Sequence, residues 1–263
     1  MANEVHDLRS ALTFLVKQPG QLVETDVEAD PNAEISGIYR YVGAGGTVKR
    51  PTQEGPAMVF NNVKGFPGSR VVIGMLSSRK RVGLLLDTDY KRLGWKLREA
   101  VKNALPPVMT SRPAPCQEMI YRAEDPDFDL RKLVPAPTNT PEDAGPYVTM
   151  GLCSGSDPEN GDTDVTIHRL CIQSRDEMTM WITPGSRHLG AFWEKYLKLN
   201  KPMPISVSIG LDPAVYMCAG FEPPTTPQGF NELQIAGALR GKPVELARCV
   251  SIPETCIFLQ SHF

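Results

Sequence analysis

The chain has 263 residues, of which 41% are apolar, and a formal net charge of −2 at neutral pH. This length allows one or two domains with a sizeable core, and the near-neutral charge gives no reason to expect nucleic acid as a partner. The sequence starts without a basic and then apolar leader and has no run of about 18 apolar residues, so we predict a cytoplasmic protein without a membrane span.

No two cysteines have CxxC spacing, so the sequence does not indicate a zinc knuckle or a redox motif. They are Cys116, Cys153, Cys171, Cys218, Cys249 and Cys256. We predict reduced and mostly buried thiols.

The first part of the chain has the hydrophobic periodicity of helices and strands. Predicted helices cover residues 8–16, capped by Asp7, and residues 31–42, 80–86 and 90–103. Predicted strands cover residues 21–27, 57–63 and 69–76. The last two strands, with the helices that follow them, favour a βαβ-like unit.

Residues 43–50 form a glycine-rich segment that ends in Lys49 and Arg50. A glycine loop followed by basic residues can hold a phosphate, but neither Walker spacing nor a helix pattern follows this one. We interpret it as a mobile connecting loop, with a phosphate site as the alternative.

Prolines crowd the segment from Leu105 to Pro146, which predicts an ordered surface linker with little helix. A domain boundary in this linker would divide the chain into residues 1–110 and 111–263. Within this linker, we predict a helical turn over residues 125–133. Its acidic residues are more typical of a helix N-terminus than of a metal site.

Beyond the linker, strands and helices alternate again. Predicted strands cover residues 147–154, 164–173, 178–182 and 205–210, and predicted helices cover residues 190–199, 213–219 and 231–239. The polar loop 157–162 resembles a calcium loop in composition but lacks the terminal glutamate, so we predict a turn.

Residues 164–169 place an acid, a hydroxyl, an imidazole and a guanidinium in one predicted strand. Side chains alternate along a strand, so Asp164, Thr166 and His168 share one face. Arg169 points to the other face. This distribution of polar groups is typical of a site rather than of a sheet exterior.

Two further segments offer partners for this strand. His188 follows Arg187 after a strand pattern, and Glu232 begins a helix pattern. Two acids and a histidine from separate segments form an oxygen-rich ligand set that suits Mg²⁺ or Mn²⁺.

These segments resemble the UbiD family of decarboxylases, in particular its branch that acts on hydroxybenzoates such as protocatechuate. The matching motifs are residues 164–171 (DVTIHRLC), 185–188 (GSRH), 210–214 (GLDPA), 231–240 (NELQIAGALR) and 243–246 (PVEL). The resemblance covers residues 1 to about 255 and only the first half of a typical member. It implies an α+β fold with an N-terminal α/β domain over residues 1–110 and a split β-barrel flavin-binding domain over residues 111–263, without the family's C-terminal domain.

The resemblance implies prenylated FMN, made by a flavin prenyltransferase and held through its phosphate by Mn²⁺ or Mg²⁺ beside K⁺. It assigns the divalent metal to Asp164, His188 and Glu232, and the catalytic role beside the substrate carboxylate to Arg169. Many members have asparagine in place of Asp164, so the extra charge is expected to favour the divalent ion. The implied flavin contacts are Thr166, Ile167, His168, Arg169, Trp181, Arg187 and His188.

Simpler roles remain open for the same side chains. Arg169 could form a structural ion pair, His188 could be a satisfied interior histidine, and Glu232 could cap the helix that begins there.

Two hypotheses about function follow from the resemblance. One is a non-oxidative decarboxylase of hydroxybenzoates. The other is a catalytically silent flavin- and metal-binding fragment, because the family's acidic proton donor lies outside the matching motifs and residues 257–263 are unlike the family. The choice among protocatechuate, gallate, vanillate and 4-hydroxybenzoate stays open, as does the choice between a monomer and a homo-oligomer.

Overall fold

A computed structural model describes residues 4–43, 54–110, 113–183, 189–221 and 229–248, and the backbone of 257–259. The helices in these ranges are α1 Leu8–Val16, α2 Glu34–Val42, α3 Arg79–Leu85, α4 Leu93–Lys102, α5 Leu130–Leu133, α6 Leu189–Lys198, α7 Pro213–Ala219 and α8 Glu232–Arg240. The strands are β1 Leu22–Thr25, β2 Ala57–Phe60, β3 Val71–Ile73, β4 Val108–Met109, β5 Tyr147–Ser156, β6 Thr163–Ile172, β7 Met178–Met180, β8 Ser206–Ser208, β9 Glu245–Arg248 and β10 Ile257–Leu259. The fold class is α+β, as predicted. None of the helices in the described ranges has the length and apolar character that a bilayer crossing requires.

The N-terminal sheet has the order β1-β2-β3. β1 and β2 are parallel and joined through α2, so they form a βαβ unit, whereas β2 and β3 are antiparallel. The unit therefore lies one strand earlier than the sequence predicts, because the turn at residues 65–68 is too short for a parallel crossover. The predicted glycine-rich loop falls mostly on residues 44–50, which lie outside the described residues.

The long hairpin of β5 and β6 is the centre of a four-stranded antiparallel sheet with the order β7-β6-β5-β8. Its turn is closed by hydrogen bonds from Asp157 N to the Asp162 carbonyl (2.8 Å) and from Gly161 N to the Asp157 carbonyl (3.0 Å). The predicted turn at residues 157–162 is thus confirmed. A third sheet has the order β10-β9-β4, in which β4 and β9 are parallel.

The described part of the proline-rich linker makes backbone hydrogen bonds with neighbouring elements. The Thr138 carbonyl accepts from Ala33 N at 2.8 Å, and the Pro137 carbonyl accepts from Tyr147 N at 2.9 Å. These backbone hydrogen bonds therefore connect the linker with the N-cap of α2 and with the start of β5. The predicted helical turn within it, α5, begins at the N-cap Asp129, whose carboxylate accepts from the Arg131 backbone.

One hydrophobic cluster contains residues from both sides of the linker. Val82 and Ala100, from α3 and α4, pack with Leu152, Val165 and Ile235 from the hairpin and α8. The division at residue 110 stays a prediction, and this shared core fixes α3 and α4 relative to the second sheet.

A fully buried arginine holds the loops around β3 and α3 together. The Arg81 guanidinium donates to the carbonyls of Gln21, Gly55, Gly74 and Met75 and to the Ser77 hydroxyl at 2.8 to 3.2 Å. Burial lowers the pKa of Arg81, against opposing effects from Tyr39 and Glu54.

Replacing Arg81 with methionine should lower the free energy of unfolding by about 3 kcal/mol or more, because several buried carbonyls lose their donors. Urea unfolding measures this loss. Arg79→Met, at an exposed position two residues earlier, is the matched control and should change stability by less than about 0.5 kcal/mol. Equal stability of the two variants would contradict this role for Arg81.

Candidate functional site

Asp164 lies near the start of β6, where α6 begins. Its side chain is 4% exposed, and its Oδ2 accepts from the backbone N–H of Leu189, the first residue of α6, at 3.2 Å. Gly155 is paired with Asp164 in the hairpin, and a Cβ there would lie 2.6 Å from Leu189 Cδ1. The glycine thus allows the start of α6 to approach the strand.

The start of α8 is tied to the same point. Asn231 is the N-cap: its Oδ1 accepts from Leu233 N at 3.0 Å, and its Nδ2 donates to Thr163 Oγ1 at 2.8 Å. Thr163 precedes Asp164, and Asn231 precedes Glu232. The interpretation of Glu232 as the cap is therefore wrong, because the shorter amide side chain before it makes the capping bond.

Glu232 occupies the first helical position of α8 and is 6% exposed. Its carboxylate is close enough to Cys218 of α7 to help raise the pKa of that thiol, after the larger effect of burial. Two buried carboxylates, Asp164 and Glu232, are thus the next residues in sequence after the two side chains that are hydrogen-bonded between β6 and α8. The amide dipoles at the starts of α6 and α8 favour negative charge here.

The third predicted ligand, His188, lies outside the described residues, as does Arg187. The residue after His188 is Leu189, whose amide binds Asp164. Within the described ranges, no group of three or more histidine, cysteine, aspartate or glutamate side chains is placed to hold a metal ion.

The other end of α8 is fixed by a partly buried ion pair. Arg240 Nε donates to Asp212 Oδ2 at 2.8 Å, and its Nη1 donates to the Leu85 carbonyl at the end of α3 at 2.8 Å. Asp212 also caps α7, accepting from Ala214 N at 2.8 Å. One arginine therefore joins α3, α7 and α8.

The predicted flavin contacts divide between the two faces of β6. Ile167 packs against the core of α7 and α8, whereas Thr166 and His168 are half-buried on the Asp164 face. Burial lowers the pKa of His168, opposed by a backbone hydrogen bond with Trp181 and by the charge of Asp164. Trp181 itself is 75% exposed, so its indole face is open to a ligand.

Arg169 is exposed on the face opposite Asp164, as the strand alternation predicts. Its guanidinium carbon lies 5.8 Å from the centroid of the Tyr147 ring. This contact is a cation–π interaction, and the ion pair considered as an alternative role stays a hypothesis.

Two cavities border the second sheet. One, of about 440 Å³, is at the Asp164 end of the hairpin, and its lining includes Gly155, Thr163 and Tyr196. The other, of about 470 Å³, lies between β3, the linker and the start of β5, with Val72, Pro135 and Tyr147 among its lining.

The chain belongs to the UbiD family. Residues 14–101 match the 3-octaprenyl-4-hydroxybenzoate carboxy-lyase N-terminal domain, and residues 108–260 match the Rift-related domain of the same family. The chain is 54% identical over 258 residues to a gallate decarboxylase of Lactiplantibacillus plantarum, covering 98% of this chain and 53% of the relative.

Solved structures agree with this assignment. Apo 3,4-dihydroxybenzoic acid decarboxylase of Klebsiella pneumoniae matches with a TM-score of 0.89 and 54% identity over 95% of this chain and 52% of that chain. The UbiD-class enzyme HmfF of Pelotomaculum thermopropionicum, in complex with FMN, matches with a TM-score of 0.82 and 32% identity over 95% and 52%. An evolved dimeric form of HmfF, in complex with prFMN, matches with a TM-score of 0.81. The chain therefore spans about half the length of these relatives.

Sequence reasoning missed the bond between Thr163 and Asn231. The sequence does indicate that Asn231 caps α8, since asparagine directly before a helix pattern is a preferred N-cap. The bond from the Asn231 amide to Thr163 of β6 depends on tertiary structure, and no local sequence pattern predicts it.

Thr163→Val removes the acceptor of the Asn231 amide while keeping the side-chain shape, so the free energy of unfolding should fall by about 1 kcal/mol. Thr163→Ser keeps the hydroxyl and is the matched control. In an Asn231→Ala background, Thr163→Val should cause no further loss of unfolding free energy. A double-mutant cycle by chemical denaturation measures this. Strictly additive losses would show that the two side chains do not stabilise each other.

Proposed function

We propose that this chain supplies the metal and flavin-phosphate side of a UbiD-type decarboxylase that acts on a hydroxybenzoate. The observation that carries the proposal is the junction at the start of β6, where hydrogen bonds join Asp164 to the start of α6 and join Thr163 to Asn231, the residue before Glu232. The relatives add the chemistry: a gallate decarboxylase and a 3,4-dihydroxybenzoic acid decarboxylase are each 54% identical to this chain.

The residues fit a divalent cation with a phosphate beside it. Asp164 and Glu232 provide buried, charged oxygen ligands, which Mn²⁺ and Mg²⁺ prefer. His188, one residue before the amide that binds Asp164, would complete the set. The N-termini of α6 and α8 add backbone dipoles that favour an anionic phosphate, and K⁺ beside the divalent ion belongs to the same proposal.

The proposed cofactor is prenylated FMN, made by a flavin prenyltransferase. When bound, it would supply the electron sink for the pair left on the ring carbon as carbon dioxide departs. Thr166, His168 and Trp181 would line it. The lowered pKa of His168 keeps its imidazole neutral near pH 7, so it would act as a hydrogen-bonding group without adding charge.

Arg169 would bind the substrate carboxylate. A guanidinium stays charged at all working pH values and pairs with a carboxylate through two parallel hydrogen bonds. Its exposure leaves it accessible to an incoming aromatic acid. We assign none of the described residues to protonation of the ring carbon.

Glu232→Gln tests the metal site. It removes one negative charge with little change in shape, so the chain should retain much less Mn²⁺ and FMN after reconstitution and gel filtration, measured by elemental analysis and flavin absorbance. Glu142→Gln removes an exposed charge in the linker and should retain both like wild type. Equal metal and flavin content in all three proteins would count against the site.

Arg169→Ala tests the carboxylate role. Since the side chain is exposed, the variant should stay folded by circular dichroism while 3,4-dihydroxybenzoate binding, and any decarboxylation by the reconstituted chain, falls at least tenfold. Arg98→Ala, which removes an exposed arginine stacked on Trp95 at 5.4 Å, is the matched control and should leave binding unchanged. Loss of folded protein in Arg169→Ala alone would favour a structural role.

A further inference from the structure

A β-bulge in β5 lies directly opposite Arg169. The register of the hairpin shifts between Val148 and Gly151, so that β5 has two residues, Thr149 and Met150, where β6 has only Arg169. Bulges of this kind bend the strand and redirect neighbouring side chains, and they are common beside functional sites.

Tyr147 lies next to the bulge on the face of Arg169. It is paired with Cys171, two residues after Arg169, which places the tyrosine diagonally across the hairpin from the arginine. The 5.8 Å between the guanidinium carbon and the ring centroid is within the range of a cation–π contact. The backbone of Tyr147 is fixed by its 2.9 Å hydrogen bond to the Pro137 carbonyl.

The contact matters because Arg169 is exposed and packing does little to fix its long side chain. A guanidinium that binds a carboxylate in a bidentate geometry loses less side-chain entropy on binding if it is already held in place. The half-buried ring of Tyr147, part of the wall of the cavity of about 470 Å³, provides a rigid surface for this purpose.

We infer that Tyr147 is a positioning residue, which holds the guanidinium of Arg169 ready to bind an aromatic carboxylate. The identity of the carboxylate ligand rests on the proposed function. The placement of Arg169 by Tyr147 can be tested without any ligand. Tyr147 acts through its ring face, so Tyr147→Phe should preserve the role and Tyr147→Leu should remove it.

The first test follows the Arg169 side chain by NMR in the full chain, with its Nε–Hε signal assigned by its loss in Arg169→Lys. We expect an upfield ring-current shift in wild type and in Tyr147→Phe, and a shift typical of a solvated arginine in Tyr147→Leu. Tyr90→Leu, which breaks an exposed contact between Lys91 and the Tyr90 ring, should leave the signal unchanged. An unchanged Arg169 signal in Tyr147→Leu would overturn the inference.

The second test measures 3,4-dihydroxybenzoate affinity of the chain reconstituted with Mn²⁺ and FMN. Tyr147→Leu should weaken binding about two- to fivefold, the range of an exposed cation–π contact, with no further effect in an Arg169→Ala background. Tyr147→Phe should bind like wild type. If Arg169→Ala weakens binding and Tyr147→Leu does not, the inference is wrong. If Arg169→Ala binds 3,4-dihydroxybenzoate like wild type, the proposed carboxylate-binding role of Arg169 is wrong. The NMR test then decides on its own whether Tyr147 positions the Arg169 side chain.

Discussion

Helix α8 is fixed at both ends, and the geometry of the site depends on this constraint. The amide of Asn231 binds Thr163 at one end, and Arg240 binds Asp212 and the last carbonyl of α3 at the other. Glu232, at the first position of the helix, is therefore placed against β6 by contacts made at both ends. The N-terminal part of the chain contributes to this constraint through the Leu85 carbonyl at the end of α3.

Two buried acids, Asp164 on β6 and Glu232 on α8, follow directly after the two residues that join these elements, and burying a carboxylate costs free energy. Asp164 and Glu232 lose most of their hydration on folding, and the amide dipoles at the starts of α6 and α8 help to offset that loss. A divalent ion would neutralise both carboxylates and favour the folded state by mass action.

Much of the fold follows from local patterns, and much of the site from motifs. The cap at Asp7, the strand that carries Asp164 and the helix that begins near Glu232 were predictable, because each depends on periodicity or capping within a few residues. The parallel pairing of β1 with β2 was not, since strand partners far apart in sequence leave no local signal. The same limit hid the contacts of Thr163 with Asn231 and of Tyr147 with Arg169.

The central claim is that the junction of β6, α6 and α8 binds a flavin phosphate through a divalent cation. Its most direct test is a fluorescence titration of the chain with FMN, in Mn²⁺ or in EDTA, with riboflavin as the matched ligand that lacks the phosphate. The account predicts that Mn²⁺ tightens FMN binding at least tenfold and leaves riboflavin binding unchanged. Equal FMN affinity in Mn²⁺ and EDTA would contradict it.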